Sequence, residues 1–532
     1  MRPPDQKEIQ AKRLFIIRTI AVLVFVLLAM TAILLRLYWL QIQHHDHYKT
    51  LATDNRIKLL PLPPARGEIY DRNGVVLAKN ITSVDLFITP DQVDDIPAVI
   101  AELQEIVTIT EEDIQRFGKL RRRLRRFEQV PIRTGLTDEE MAQFAVERHR
   151  FRGVDLGVNL RRYYPFGELT AHVVGYIGRI NERELERIDK AAYAGTSHIG
   201  KTGLERFYEE QLHGDVGVQR VEIDAMGHII RILETQPPVT GEDIQLHFDI
   251  ELQKIAFEAL GEHAGSVVVI DVKTGGVLAM ASKPSFDANL FVNGISFKDY
   301  NALRDDSGNP LFNRAINGSY PPGSTVKPFI GLAGLETQTV NHVQSIYCPG
   351  HYRIKNAGRT FRDWKRTGHG TIDLEKSIEQ SCDVYYYDLA YSMGIDKMHD
   401  YLAQFHFGKQ TGIDMPAETS AVLPSQEWKK RRYKQSWLPG DTVNAGIGQG
   451  YFLVSPVQLA YATAVLAADG KLIHPRLASR IGKQSALSPG AEMESIHKKD
   501  PQNWEHVIDG MLAVTEGQRG TAKRIRNEHY RI

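Results

Sequence analysis

Residues 319–329 read SYPPGSTVKPF, and residues 381–390 read SCDVYYYDLA. In the first stretch Pro321, Pro322 and Gly323 form a rigid turn ending at Ser324. TVKPFIGLAGLE then continues as an apolar helix that tolerates Pro328 only in its first turn. Ser324 therefore sits at a helix N-terminus, with Lys327 three residues on and on the same face. A serine hydroxyl is a poor nucleophile until a neighbouring base takes its proton. A lysine amine supplies that base if burial and nearby cations keep it uncharged. The positive end of the helix favours an oxyanion forming at the same place. In the second stretch Ser381-Cys382-Asp383 again precedes an apolar helix. The two helices are able to face one cleft, where a second hydroxyl passes protons between the lysine and a leaving group.

S-x-x-K alone says little, because a serine in front of a helix is commonly a cap. Ser495-Ile496-His497-Lys498 has the same spacing, in a polar stretch with no apolar helix to bury it. The companion Ser381-Cys382-Asp383 separates the two. G-x-S-x-G is absent, which argues against an ordinary esterase, and no motif supplies Ser324 with a histidine partner. A second ambiguity lies in GTSHIGKTGLE, residues 195–205, where Gly195–Thr202 fits the phosphate-loop pattern and Lys201-Thr202-Gly203 spells K-T-G. A phosphate loop follows a buried strand, but NERELERIDKAAYA precedes this one and is charged and helix-forming. Lys273-Thr274-Gly275 is another K-T-G, in a turn between two apolar strands, Val267–Ile270 and Val277–Met280. Three-residue motifs recur by chance, and ATP is not expected as a ligand.

Composition narrows the classes further. At 532 residues the chain is long enough for two or three domains. Its 65 Lys and Arg balance 65 Asp and Glu, so no global charge draws it to nucleic acid. The basic run at 121–126, RRRLRR, reads as a solvated helix face beside acidic neighbours such as Glu128. Thr19–Leu35 is uncharged and, with its apolar flanks, reaches the roughly 20 residues that cross a bilayer. Lys7, Lys12, Arg13 and Arg18 precede it, which keeps the N-terminus cytoplasmic, and Tyr38 and Trp39 stand where an interfacial belt belongs. No small-x-small cleavage site follows, so the reading is an uncleaved anchor with the bulk of the chain outside the cytoplasm.

The expected organisation is a cytoplasmic tail at 1–18, a transmembrane anchor at 19–42, an elongated α+β pedestal at 43–240 and a catalytic domain at 241–532. Within the pedestal, Asp71-Arg72-Asn73-Gly74 signals a hairpin turn. RRYYPFGELTAHVVGYIGRI, from Arg161, reads as strand-like β-branched residues broken by glycine. IQLHFDI at 244–250 reads as a strand leading into the helix LQKIAFEAL.

These motifs resemble the class B penicillin-binding proteins, membrane-anchored D,D-transpeptidases of peptidoglycan. RGEIYDRNG (66–74), RRYYP (161–165) and GKTGLE (200–205) resemble the three signatures of the family's non-catalytic pedestal. KPSFD (283–287), SYPPGSTVKPF and GIGQGY (446–451) resemble landmarks of its transpeptidase domain. RDWKRTGHG (362–370), with Asp in Ser-Cys-Asp, is similar to the penicillin-binding protein 2 branch, which serves elongation and rod shape in Gram-negative bacteria. The cell-division branch, an alternative, typically carries Ser-x-Asn.

The resemblance implies a single N-terminal transmembrane helix in the bacterial inner membrane, a pedestal, and a periplasmic α/β transpeptidase domain of serine β-lactamase-like fold, an antiparallel sheet flanked by helices. It implies that Ser324 attacks the D-Ala-D-Ala carbonyl of a stem peptide with Lys327 as base, Ser381 relaying protons and Asp383 orienting them. A neighbouring stem's amine would capture the acyl-enzyme, and β-lactams would trap Ser324. A SEDS-family membrane glycosyltransferase and the elongation complex are the implied partners, and acyl transfer needs no cofactor. The family's third motif, K-[ST]-G, should follow Gly520-Thr521-Ala522 by some twenty residues, and the chain reaches Ile532 first. The domain is thus expected to be C-terminally truncated. Without that strand a donor to the oxyanion is missing, a loss of about 3 kcal/mol. The alternative reading is accordingly a catalytically impaired scaffold or penicillin sensor.

Cys348 and Cys382 are the only cysteines. A disulfide is the simplest expectation in an oxidising compartment. Asp363 and His369 lie between them, and Cys, Asp, His, Cys suits zinc. Some penicillin-binding protein 2 relatives hold zinc near the active site, and these positions resemble that site. Zinc, a disulfide and free thiols all stay open on sequence.

Overall fold

The computed structural model describes residues 6–45, 49, 56–122, 127–224, 229–292, 294–354, 359–486 and 494–531. Residues 1–5 of the expected tail, and 123–126 of the basic run, lie outside the described residues. The N-terminal helix Gln6–Tyr38 continues through a π turn at Trp39–Gln43. Its apolar stretch Arg13–Gln43 is 31 residues long, with none of it buried against the rest of the protein. At 1.5 Å per residue it spans about 46 Å, more than a bilayer core of about 30 Å. Its hydroxyls stay satisfied in apolar surroundings, because Thr19 and Thr31 donate to the Phe15 and Leu27 carbonyls one turn back. Among the described residues this is the one helix long and apolar enough to cross a membrane.

Outside that helix, Ile57–Leu62 pairs antiparallel with Gly217–Ile223, which pairs in turn with Ile229–Gln236. The hairpin turn expected at Asp71–Gly74 joins Ile69–Tyr70 to the long strand Val76–Ile88. Asp71 closes it by accepting from the backbone N–H groups of Asn73 and Val75. Val76–Ile88 pairs along its length with Val154–Tyr163 and, at its far end, with Val130–Arg133. Three helices, Ile96–Leu103, Glu111–Arg121 and Asp138–Glu147, and this sheet enclose a small core that includes Leu86, Phe117, Ile132 and Phe144.

The three pedestal signatures converge on one buried carboxylate. Glu205 receives Arg66 Nε at 2.6 Å and Arg162 Nε at 2.7 Å, and the Tyr164 hydroxyl at 3.2 Å. Arg66 also reaches Glu209 Oε2 at 2.7 Å, and Arg162 Nη1 donates to the Gly67 carbonyl. Burial alone would raise the Glu205 pKa; the guanidiniums of Arg162 and Arg66 outweigh it and hold the carboxyl below its usual value. Lys201-Thr202-Gly203 therefore lies in a structural network, with Lys201 paired to Glu184 at 2.5 Å.

Two features depart from the sequence reading. HVV in the stretch after Arg161 is helical, not extended: Ala171–Val174 forms one fully buried turn. Tertiary burial overrides β-propensity over so short a run. The strand Ile244–Leu246 pairs in parallel with Ile69–Tyr70 and antiparallel with Ala478–Ile481, so one sheet runs from the pedestal into the catalytic region. A core containing Ile69, Tyr164, Phe248, Met280 and Leu477 lies under it. Asp414 fastens the same junction, accepting from the Tyr208 hydroxyl at 2.8 Å and from the Leu477 and Ala478 N–H groups.

In the catalytic region, Gly265–Ile270 and Val277–Lys283 form the expected antiparallel hairpin. Helix Ile250–Ala259 covers one strand and Pro456–Ala467 packs against the other. The Lys273-Thr274-Gly275 turn is closed by Asp271, which accepts from the Lys273 N–H and the Thr274 hydroxyl. The largest core belongs to the helices Lys327–Glu336, Asp383–Met393 and Ile395–Leu402.

Candidate active site

Gly323–Val326 forms a single 3-10 turn that runs directly into helix Lys327–Glu336, with Pro328 in the helix's first turn. Every residue of that helix is buried, including Lys327 at 1% exposure, whereas Ser324 is exposed. Phe329 stacks edge-on against Phe405 and Phe407, each at 5.2 Å, which seats the helix in the core. The second element is a sharp turn before helix Asp383–Met393. Ser381 adopts the left-handed conformation at φ 54°, a strained state for serine that aims its hydroxyl at the first helix.

The structure brings Ser324, Lys327, Ser381 and Asp383 together. Ser381 Oγ donates to Ser324 Oγ at 3.0 Å, and Lys327 Nζ donates to Ser381 Oγ at 3.1 Å. Nζ also donates to the Ser381 carbonyl at 2.8 Å and to Asp383 Oδ1 at 2.7 Å. Ser381 thus stands between lysine and exposed serine. Three acceptors around Nζ match the three N–H donors of an ammonium. The charged neighbour of Lys327 is a carboxylate; the cations expected to keep the amine neutral are not what the structure puts beside it.

Trp364 is a contributor that the sequence reading used only as a family mark. Its backbone N–H donates to Asp383 Oδ2 at 3.2 Å, and its Nε1 donates to the carbonyls of Gln380 and Ser381 at 3.2 and 3.1 Å. The ring itself is 58% exposed. The available signal was a tryptophan placed directly after Asp363. Ser495–Lys498 plays no part: Lys498 pairs with Asp469 and lies over the Trp504 ring.

Cys348, Asp363, His369 and Cys382 form one buried cluster whose ligand atoms all lie within 4.8 Å of one another. Hairpin pairing gathers them across long sequence gaps. Cys348 ends a strand paired to Gly370, and Asp363 follows a strand, Thr360–Arg362, paired to His351–Arg353. Asp363 Oδ2 lies 3.6 Å from Cys348 Sγ and 3.5 Å from Cys382 Sγ. His369 Nδ1 lies 3.5 Å from Cys348 Sγ and 3.6 Å from Asp363 Oδ1. A tetrahedral zinc with bonds of about 2.0–2.3 Å has edges of about 3.3–3.8 Å between ligand atoms, so these four separations match its edges. The sulfurs are not bonded to one another. Burial holds the His369 imidazole below its usual value and pushes the Cys382 thiol up. Asp363 also accepts from the N–H groups of Asp383 and Val384 at 2.9 and 3.1 Å, capping the helix that carries the site.

Residues 265–532 match the penicillin-binding protein transpeptidase domain, and residues 61–246 match the penicillin-binding protein dimerisation domain. The chain is 41% identical over 529 residues to the peptidoglycan D,D-transpeptidase MrdA of Haemophilus influenzae, covering 98% of this chain and 81% of that protein. The chain belongs to the penicillin-binding protein transpeptidase family. Among solved members, penicillin-binding protein 2 of Pseudomonas aeruginosa, in complex with WCK 5153, is 39% identical with a TM-score of 0.68, covering 88% of this chain and 83% of that one. Penicillin-binding protein 2 of Helicobacter pylori, in complex with MreC, is 30% identical with a TM-score of 0.77, covering 88% and 86%. The match extends across both penicillin-binding domains, so it covers the pedestal network as well as the serine–lysine cluster.

Proposed function

We propose that this chain is a peptidoglycan D,D-transpeptidase of the elongation type that works through an acyl-enzyme on Ser324. The observation that carries the reading is the continuous path Ser324 Oγ–Ser381 Oγ–Lys327 Nζ, at 3.0 and 3.1 Å. Ser324 Oγ attacks the carbonyl of the penultimate D-alanine. Its proton passes through Ser381 toward Lys327 and then to the departing D-alanine amine. In the resting arrangement Nζ is held by Asp383, so a proton on Nζ must move to that carboxylate or to solvent before Nζ can accept one. The amine of a neighbouring stem then attacks the ester, forming the new peptide bond and restoring Ser324. A β-lactam carbonyl would be opened by the same attack.

A labelled penicillin tests this directly. The wild-type chain is expected to acquire a covalent label that Ser324→Ala abolishes. A label that persists in Ser324→Ala overturns the assignment of the nucleophile.

We also infer that Cys348, Asp363, His369 and Cys382 hold a structural zinc, which would cross-link the hairpins behind the Ser381 turn without entering the reaction. Metal analysis should find one zinc per chain, and chelation should lower the melting temperature; an unchanged melting temperature counts against the ion. The arrangement we favour keeps the tail at 1–18, the anchor at 19–42, the pedestal at 43–240 and the transpeptidase domain at 241–532, in an inner membrane with the last two periplasmic. A SEDS-family glycosyltransferase and the elongation complex remain the partners in this reading; penicillin-binding protein 2 of H. pylori is itself solved in complex with MreC.

A further inference from the structure

An aromatic and basic shelf stands beside the serine cleft, and the chemistry described so far does not use it. Helix Gln426–Tyr433, QEWKKRRY, is capped by Ser425, whose hydroxyl accepts from the Trp428 N–H at 3.1 Å. The rings of Trp428, Tyr433 and Tyr451 form a triangle with centroids 5.4 to 5.6 Å apart. None of the three belongs to a hydrophobic core, and Tyr433 is 48% exposed. Beneath them the buried Lys429 pairs with Asp441 at 2.5 Å and places Nζ 5.3 Å from the Tyr451 ring centre. Tyr451 is therefore backed by Lys429, Trp428 and Tyr451 are half-buried, and the triangle opens to solvent through Tyr433.

The same helix exposes Lys430, Arg431 and Arg432, and Lys434 follows them. Among the described residues none of these four cations has an ion-pair partner, so their field is free to act outward. The shelf is tied to both halves of the active site. Tyr451 closes the GIGQGY loop, in which the Gly448 carbonyl accepts from the Gly323 N–H at 3.0 Å, one residue from Ser324. A side chain on Gly448 would meet the Gly323 carbonyl oxygen at 2.3 Å, so this contact requires glycine. A side chain on Gly446 would meet Ala390 Cβ at 2.5 Å and the Tyr386 carbonyl oxygen at 2.8 Å, on the helix that begins at Asp383.

We propose that this shelf holds an uncrosslinked peptidoglycan strand alongside Ser324. Sugar C–H faces lie on the Trp428, Tyr433 and Tyr451 rings, and stem-peptide carboxylates meet the cations of Lys430, Arg431, Arg432 and Lys434. The inference rests on the transpeptidase reading for its substrate. Charge complementarity and continuity with the cleft select this occupant: the surface offers flat rings and unpaired cations together, and the strand offers sugars and carboxylates together.

The test is co-sedimentation of the detergent-solubilised full chain with beads carrying immobilised, uncrosslinked peptidoglycan strands at rising salt. Arg431→Glu/Arg432→Glu/Lys434→Glu should weaken binding at least fivefold and remove most of its salt dependence, and Tyr433→Ala should weaken it severalfold. Labelling of Ser324 by a small fluorescent penicillin should be unchanged in both variants, which also shows that they fold. Unchanged sedimentation of either variant overturns the proposal. So does loss of binding to vesicles of anionic phospholipid with peptidoglycan binding intact, which would make the surface a membrane contact. If penicillin fails to label the wild type, the transpeptidase reading falls, while sedimentation still reports on the shelf.

Discussion

Glu205 in the pedestal and Lys327 in the catalytic region are both buried charges held by an opposite charge, yet their surroundings differ in one respect. Both Glu205 oxygens are engaged by guanidiniums that are themselves bonded to the backbone, so the network closes on itself. Lys327 has a carboxylate on one side and a hydroxyl on the other, and that hydroxyl points to an exposed serine. A closed ionic network specifies geometry; an open one ending at an accessible hydroxyl has somewhere to send a proton. The difference separates scaffold from chemistry more clearly than burial does.

The strongest way to break this comparison is Ser324→Ala, which should reduce penicillin acylation to background while changing stability by no more than about 0.5 kcal/mol, read by labelling and by urea unfolding. Ser381→Ala should follow, slowing acylation by about 10²- to 10⁴-fold in rapid-quench labelling, as expected when a proton relay is lost. Glu205→Gln should do the reverse. It strands the buried Arg162 guanidinium, though Arg66 keeps Glu209, and should cost about 3–5 kcal/mol of stability, while the folded fraction still acylates at the wild-type rate.

Acid sharpens the same contrast. The Glu205 carboxyl lies below its usual value of 4.5, so its stabilisation is complete above that pH and is lost as pH falls through the lower folded value. Thermal unfolding should show stability declining as pH falls below 4.5, more steeply than in Glu205→Gln. The smallest expected effect is Trp364→Phe, which keeps a ring and removes the Nε1–H bond to the Ser381 carbonyl. It should cost about 1 kcal/mol, roughly fivefold in acylation rate, with penicillin affinity preserved.

The site's residues were legible because the chemistry restricts them to short motifs at helix starts, where a turn and an apolar run can be read together. Lys327 and Ser381 are recognisable on those terms. Their charge environment was not, since the carboxylate of Asp383 reaches Nζ only when two helices pack, 56 residues apart in the chain. Cys348, Asp363, His369 and Cys382 were visible by residue type, but what brings them together is strand register in two small hairpins. Trp364 was hidden for the same reason, as its partners lie on another turn. In the fold, the Asp71–Gly74 turn and the Gly265–Lys283 hairpin follow from local residues. The sheet joining Ile69–Tyr70 to Ile244–Leu246 does not, because its register is decided by the core beneath it. His172-Val173-Val174 shows the opposite failure, a β-branched run wound into a helix by complete burial.

The central claim is that one exposed hydroxyl, Ser324, is the atom this molecule makes reactive. Mass spectrometry of the intact chain after exposure to benzylpenicillin, followed by peptide mapping, measures it most directly. The account predicts a single penicilloyl adduct on the peptide containing Ser324; an adduct on Ser381 or on any other residue would contradict it.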